Sequence, residues 1–250
     1  MADQVKENDC LVGRIAVVTG ASSGIGQAIA LALSRQGVQL CLIGRNPITL
    51  AQTVTAARQF SKVAGFQIDL NRDENLELLL THLEGEVGRV DILIHSAGVI
   101  HQGAMERARV EDFDAQYTTN VRMPYLLTQR LLPLLTTARG QIVFINSSVG
   151  LAVRRPEVGQ YAATKHALKA MADSLREEVN PKGIRVLTLY LGRTATPMQE
   201  AVFRQEGRKY HPERLLQPED VASVVVHALM LSPTAEMTDI SIRPMIREMV

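Results

Sequence analysis

Tyr161 and Lys165 stand four residues apart in the segment GQYAATKHALKAM. In a helix, residues at that spacing share one face. Two serines, Ser147 and Ser148, follow the apolar run Gln141 to Ile145 just upstream, and Ser148 precedes Tyr161 by thirteen residues. If the run is a strand and the later segment a helix, a hydroxyl, a phenol and an ammonium meet at the carboxyl edge of a parallel sheet, where such sheets bind ligands. This set suits hydride transfer to a carbonyl, which leaves an alkoxide that must be protonated. A phenol, with an unperturbed pKa of about 10, is a poor acid or base at neutral pH. A nearby lysine ammonium, together with the positive charge of an oxidised nicotinamide, favours the phenolate. Lowering the phenol by about three units corresponds to about 4 kcal/mol. Tyr161 is then the expected general acid/base. Lys165 lowers its pKa and holds the nicotinamide ribose. A serine hydroxyl holds and polarises the substrate oxygen, as an oxyanion-hole donor does.

A hydride needs a carrier, and the start of the chain offers a place for one. The strand Ile15 to Thr19 runs into Thr19-Gly20-Ala21-Ser22-Ser23-Gly24-Ile25-Gly26. Glycines let such a turn tighten and let its backbone approach a pyrophosphate. The helix that starts near Gly24 aims its free N–H groups and positive dipole end at the phosphates, and Ser22 and Ser23 add donors. A glycine-rich turn between the first strand and first helix of an α/β chain reads as dinucleotide-binding. At the end of the second strand comes Gly44-Arg45-Asn46. No carboxylate is present there to bind a ribose 2′-hydroxyl or repel a 2′-phosphate, and Arg45 can pair with that phosphate. The cofactor expected is NADP(H), with NAD(H) as the alternative.

The elements that must position these groups alternate. Strands are expected at Ile15–Thr19, Gln39–Ile43, Val63–Ile68, Asp91–His95, Gln141–Ile145, Ile184–Tyr190 and Asp239–Ile242. Helices are expected at Gly24–Gln36, Pro47–Phe60 with Asn46 as N-cap, Arg72–Glu86, Val110–Leu135, Gly159–Asn180 and Glu219–Leu231. Strands such as IAVV, LCLI and IVFI are unbroken apolar runs, as expected of strands buried on both faces. Right-handed crossovers then give an α/β, Rossmann-like, doubly wound parallel β-sheet of about seven strands with helices on both faces. No composition break or linker divides residues 1–250, so one NAD(P)-binding domain is expected. Residues 195–218 show no clear apolar period apart from a short helix near Met198–Gln205, and they read as a substrate lid.

The TGxxxGxG turn, the serine and the Tyr-x-x-x-Lys pair together resemble the short-chain dehydrogenase/reductase superfamily, and the resemblance runs from about Val12 to Pro244. It implies a carbonyl or secondary-alcohol substrate. The family's serine spacing prefers Ser148, with Ser147 as the alternative. Asn120, in Thr119-Asn120-Val121, matches the family's fourth catalytic residue. The resemblance places the cofactor on Gly20, Ser22, Ser23, Gly24, Ile25, Gly26, Arg45, Asp69 and Leu70 (the Asp69 side chain toward the adenine amino group). It adds Ser96, Ala97 and Gly98, then Tyr161 and Lys165, and finally Gly192, Thr194 and Thr196. Three departures stand out: His95-Ser96 replaces an Asn-Asn pair, Leu191 replaces a proline, and Asp239 to Pro244 replaces a glycine-rich finish. A homodimer or homotetramer through the long helices is also implied, with Ala162, Ala163, Ala167 and Ala170 allowing close packing.

Pro124 carries a further hint. It has no N–H to offer the Asn120 carbonyl, which would then be open to a water leading to Lys165 as a proton relay. Arg204, Arg208, Lys209 and Arg214 in the lid, with Arg154 and Arg155 before Tyr161, read either as a solvated face or as an attraction for an anionic substrate. With 27 basic and 26 acidic residues the chain gives no electrostatic case for a nucleic-acid or anionic-membrane partner. The six histidines form no ligand cluster, so no metal is expected. Cys10 and Cys41, the polar start MADQVKENDC and the absence of a long apolar run read as a cytoplasmic chain. The competing reading is a dinucleotide-binding regulatory protein without turnover.

Overall fold

In a strand, successive side chains point to opposite faces, so an unbroken apolar run demands cover on both sides. The computed structural model, which describes residues 11–69 and 76–246, meets that demand. Seven parallel strands form one sheet in the order β3-β2-β1-β4-β5-β6-β7. They are β1 (Ile15–Thr19), β2 (Gln39–Gly44), β3 (Val63–Gln67), β4 (Ile92–His95), β5 (Gln141–Ser147), β6 (Arg185–Leu191) and β7 (Asp239–Ile242). Ala16, Val18, Leu40, Leu42, Ile92, Ile94, Val143 and Ile145 face one apolar layer, with α1 (Gly24–Arg35), α2 (Pro47–Ala57) and α8 (Pro218–Leu229) over it. The residues between them, Val17, Cys41, Ile43, Leu93, Ile142 and Phe144, face the other. That second layer is covered by α3 (Leu76–His82), α5 (Met123–Ala138) and α6 (Gly159–Val179). The remaining helices are α4 (Val110–Tyr117) and α7 (Pro197–Gln205).

The expected doubly wound sheet is what forms, and Asn46 caps α2 as its position predicts, accepting from the N–H groups of Ile48 and Thr49 at 3.0 and 3.1 Å. Two differences bear on the site. The single helix expected over Val110–Leu135 is two helices joined by a π-helical turn, Thr118–Arg122. Pro124 cannot donate to the carbonyl four residues back, and the turn widens so that the Met123 N–H bonds the Thr118 carbonyl instead. The second difference is that β5 runs two residues past its expected end. Asn146 and Ser147 stay paired with Tyr190 and Leu191 of β6, so Ser147 is the last strand residue rather than part of a loop. The helix expected over Arg72–Glu86 begins within the described residues at Leu76 and ends in a π-helical turn, Leu83–Val87. Among the described residues no helix is long and apolar enough to cross a membrane.

Thr19 ties the sheet's centre to the segment that leaves β4. Its buried hydroxyl accepts from the N–H groups of Ser96 and Ala97 at 3.0 and 3.1 Å, and donates to the Ile94 carbonyl at 3.3 Å. Replacing Thr19 with valine keeps the shape and leaves two inward N–H groups without an acceptor. We expect Thr19→Val to lower unfolding free energy in urea by about 1–3 kcal/mol. An unchanged midpoint would show that these N–H groups find other partners.

Candidate active site

Two clamps set the catalytic side chains relative to the sheet. The Asn146 amide, buried at the end of β5, donates to the Lys165 carbonyl on α6 at 3.1 Å, and its oxygen accepts from the Ser147 N–H at 2.7 Å. Lys165, also buried, returns across the same joint, its Nζ donating to the Ile145 carbonyl at 3.2 Å. The second clamp is Asn120. Its side-chain oxygen accepts from the Val99 N–H at 2.9 Å, and its amide donates to the Val99 carbonyl at 2.9 Å and to the Thr164 hydroxyl at 3.1 Å. The Asn120 side chain is thereby engaged in holding the β4 exit to α6, and only its main chain remains for the relay expected from the sequence.

Ser148, Tyr161 and Lys165 come together in one cavity as the spacing implied, with the alternative Ser147 beside them. The Ser147 hydroxyl accepts from the Val149 N–H at 3.4 Å and lies near enough to the Tyr161 phenol to favour its ionised form. Ser148, one place further on, is the exposed first residue of a 3₁₀ turn and also lines the cavity. The phenol's pKa departs from expectation. Burial pushes Tyr161 up to about 12, opposed by the nearby Ser147 hydroxyl and the charge of Arg155. Lys165 stands 5.8 Å from the Tyr161 ring centroid, and its own pKa falls to about 8 because it is buried. The polypeptide alone thus holds Tyr161 as a neutral phenol, the form that donates a proton.

A cavity of about 580 Å³ opens over these residues. Ile25 of the glycine-rich turn, the β4 exit Ser96-Ala97-Gly98, Ser147, Tyr161, Lys165, and Gly192, Thr194 and Thr196 beyond β6 all line it. The turn has the geometry of a phosphate site. At Gly20, with φ +69°, a Cβ would fall 2.8 Å from the Ala97 nitrogen, and at Gly26 it would fall 2.4 Å from the Gly20 carbonyl oxygen. The α1 N-terminus carries no acidic residue, and Ser23 makes no side-chain cap. The Ser22 hydroxyl is buried without a hydrogen-bond partner among the described residues. Bare N–H groups, an unmet hydroxyl and close backbone approach fit a dinucleotide pyrophosphate. Arg45 is exposed just past β2, with no hydrogen bond or ion pair among the described residues, and Asp69 is partly buried past β3. Leu70 lies outside the described residues.

The departures at His95 and Leu191 acquire physical accounts. His95 is buried, its Nε2 2.8 Å from the Thr128 hydroxyl and its ring stacked on Phe144, and burial lowers its pKa to about 3. It links β4 to α5 as a neutral ring. Leu191 stays in β6, paired with Ser147. Thr196, expected at the nicotinamide, caps α7 by accepting from the Gln199 N–H at 3.2 Å.

The segment expected as a lid leaves and returns at one place, where Thr194 bridges Leu216. Glu206, just past α7, anchors its middle. The carboxylate takes two 2.8 Å bonds from Arg193, one of 2.5 Å from Arg155, and an ion pair with Arg208 at 3.5 Å. Burial raises the Glu206 carboxyl, and the bonds and charges of Arg193 and Arg155 outweigh that, holding it below the usual range. Arg204, Lys209 and Arg214 are exposed and lie outside the cavity lining, as a solvated face would be. Sequence reasoning missed Asn146, Thr19 and Glu206. The asparagine beside the two serines was the one local signal, since the Glu206 partners lie on separate segments.

The comparisons agree with this geometry. Residues 14–207 match the family model described as short chain dehydrogenase. An uncharacterized oxidoreductase of Staphylococcus epidermidis is 32% identical over 234 residues, 92% of this chain and 97% of the relative. A short chain dehydrogenase of Shigella flexneri solved with NADP is 30% identical, with a TM-score of 0.83 over 94% of this chain and 98% of that one. An alcohol dehydrogenase of the archaeon Thermococcus sibiricus, solved with 5-hydroxy-NADP, is 25% identical, with a TM-score of 0.83 over 95% of this chain and 99% of that one. With its sheet, its glycine-rich turn and its Ser-Tyr-Lys cavity in place, the chain belongs to the short-chain dehydrogenase family.

Proposed function

We propose that this protein is an NADP(H)-dependent oxidoreductase acting on a carbonyl compound or the corresponding secondary alcohol. One observation carries the reading: the Tyr161–Lys165 pair, with Ser147 and Ser148 beside it, lines the same cavity as Ile25 of the glycine-rich turn and the β4 exit. A regulatory binder has no use for that pair. The NADP-bound relatives and the unengaged Arg45, with no carboxylate in Gly44-Arg45-Asn46, favour NADP(H) over NAD(H).

When bound, NADPH supplies the hydride for the carbonyl carbon. The turn Gly20 to Gly26 would hold the phosphates, and Arg45 and Asp69 the adenosine side. In reduction the Ser148 hydroxyl, with Ser147 as the alternative, donates to the carbonyl oxygen and draws charge onto it. Tyr161 gives that oxygen its phenolic proton, so the alkoxide never forms free. Lys165 holds the nicotinamide ribose and restores the phenol's proton, with the Asn120 main chain on the route to solvent. Residues 195–218 act as the lid, hinged at Thr194 and Leu216. The whole forms one domain and assembles as a homodimer or homotetramer. The α6 residues Ala163 and Ala170 are available for that contact, whereas Ala162 is buried within its own chain.

Three results test this reading. Nicotinamide absorbance over a panel of ketones, oxo acids and hydroxy acids should register turnover with NADPH that falls by about 10²–10⁴ in Tyr161→Phe. Ser148→Ala should lose about 10²–10³ in kcat and Ser147→Ala only a small factor, and the reverse order would give the role to Ser147. Arg45→Ala should cut the NADPH-over-NADH preference by about tenfold or more, the value of one hydrogen bond to a charged group of about 1.5–3 kcal/mol. The pH dependence follows from the sign of the shifts. Tyr161, raised to about 12, stays protonated through neutrality, and Lys165, lowered to about 8, loses its charge above that value. Reductive kcat/KM should therefore hold level up to about pH 8 and fall beyond it, with oxidation favoured on the alkaline side. A reductive rate that climbs above pH 8 would contradict the assignment.

A further inference from the structure

Four arginines, Arg154, Arg155, Arg193 and Arg243, line the cavity together with Lys165, and no aspartate or glutamate among the described residues lines it. Glu206 is the carboxylate that Arg155, Arg193 and Arg208 share, and it does not face the cavity. One negative charge set against three leaves a positive surplus in that network. Arg154 and Arg243 add to it, since neither makes an ion pair or hydrogen bond among the described residues. Donors are in surplus as well. Glu206 engages only Nη1 of Arg155, and Nη1 of Arg193 is buried with no acceptor among the described residues. Like charges around one concave, partly dry site raise its potential and draw in an anion. Forked guanidinium groups fit a planar carboxylate.

Resting on the oxidoreductase reading above, we infer that the substrate is an oxo acid, or the matching hydroxy acid in the reverse direction, whose carboxylate is seated by Arg155 and Arg154. The carboxylate stands a few bonds from the carbonyl carbon rather than at the end of a long chain. The charge of Arg155 is felt at the Tyr161 phenol, so the anion seat borders the reacting oxygen. The reaction balances as written. The carbonyl carbon gains hydride from NADPH and its oxygen gains the Tyr161 proton, giving a hydroxy acid and NADP⁺, while the carboxylate is unchanged. Arg193 stays on Glu206, holding the lid segment over the seat.

The test compares kcat/KM with NADPH for short 2-oxo and 3-oxo acids against their methyl esters, which keep the carbonyl and lose the charge. The wild-type chain should prefer the acid by about 100-fold, the value of two charge-assisted hydrogen bonds of about 1.4 kcal/mol each. Arg154→Gln and Arg155→Gln should each cut the acid-to-ester ratio by about tenfold, mainly through KM. Arg154→Lys should retain more of the ratio than Arg154→Gln. Arg154 is exposed and engages no other side chain among the described residues, so its replacement leaves the lid network in place. Raising the salt concentration should raise KM for the acid more than for the ester. Parity of acid and ester would overturn the carboxylate seat while leaving the oxidoreductase reading intact. Preference for a phosphorylated hydroxy ketone over the oxo acid would overturn it too, assigning the arginines to phosphate. Absence of turnover with every acid, ester and alcohol would remove the oxidoreductase reading itself, and this inference with it.

Discussion

The joint between the end of β5 and the helix α6 governs this molecule's chemistry. It is made of one amide and one ammonium crossing in opposite directions, Asn146 to the Lys165 carbonyl and Lys165 to the Ile145 carbonyl. Both side chains are buried, so neither exchanges these bonds readily for water, and an unmet partner there would be costly. Gly150 lets the helix close on the joint, since a Cβ there would fall 2.9 Å from the Lys165 carbonyl oxygen. The strand end leads through Ser147 to Ser148, and the helix carries Tyr161. The spacing between the serine hydroxyls and the phenol is therefore set by a main-chain clamp rather than by the side chains themselves.

The rest of the fold feeds that joint. The doubly covered sheet gives β1, β4, β5 and β6 a rigid common edge, and Thr19 and Asn120 lash the β4 exit to β1 and α6 respectively. The glycine-rich turn and the Ser-Tyr pair thus reach one cavity from different segments without depending on each other. Opposite them, the lid segment is held by charge. Glu206 binds arginines from the loop after β5, the loop after β6 and its own neighbourhood. Phe203 lies beneath two of these guanidinium groups, at 4.6 Å from Arg193 and 5.2 Å from Arg208. A hub of this kind adds to the apolar anchoring by Val202 and Phe203, and it concentrates positive charge beside the cavity.

Burial explains why the site's titrating groups differ from a simple pairwise picture. A lysine four residues along a helix from a tyrosine suggests direct lowering of the phenol's pKa. In the folded chain, burial acts on both groups, raising the phenol and lowering the ammonium, and the Lys165 charge is directed at a strand carbonyl. Arg155, separated from Tyr161 by an irregular loop, is the cation that acts on the phenol. The same kind of distance effect explains His95. It stands where the family carries an asparagine, and in the fold it stacks on Phe144 and bonds Thr128.

What the sequence determined by itself was everything local or periodic. Unbroken apolar runs specified strands buried on both faces, the glycine spacing specified the phosphate turn, Asn46 specified a helix start, and Pro124 marked the place where the helix widens. The Tyr161–Lys165 spacing placed both residues on one helix, because a helix converts sequence distance into direction by its fixed pitch. The tertiary structure alone decided that Ser147 ends the strand and Ser148 opens the turn, since that rests on how far β5 stays paired to β6, and strand pairing is a contact between distant segments. It alone revealed Asn146 as the clamp and Glu206 as the hub, because their partners are brought close only by folding. It also separated the arginines that line the cavity from those that only face solvent, because burial is a property of packing and is not encoded in residue type or spacing.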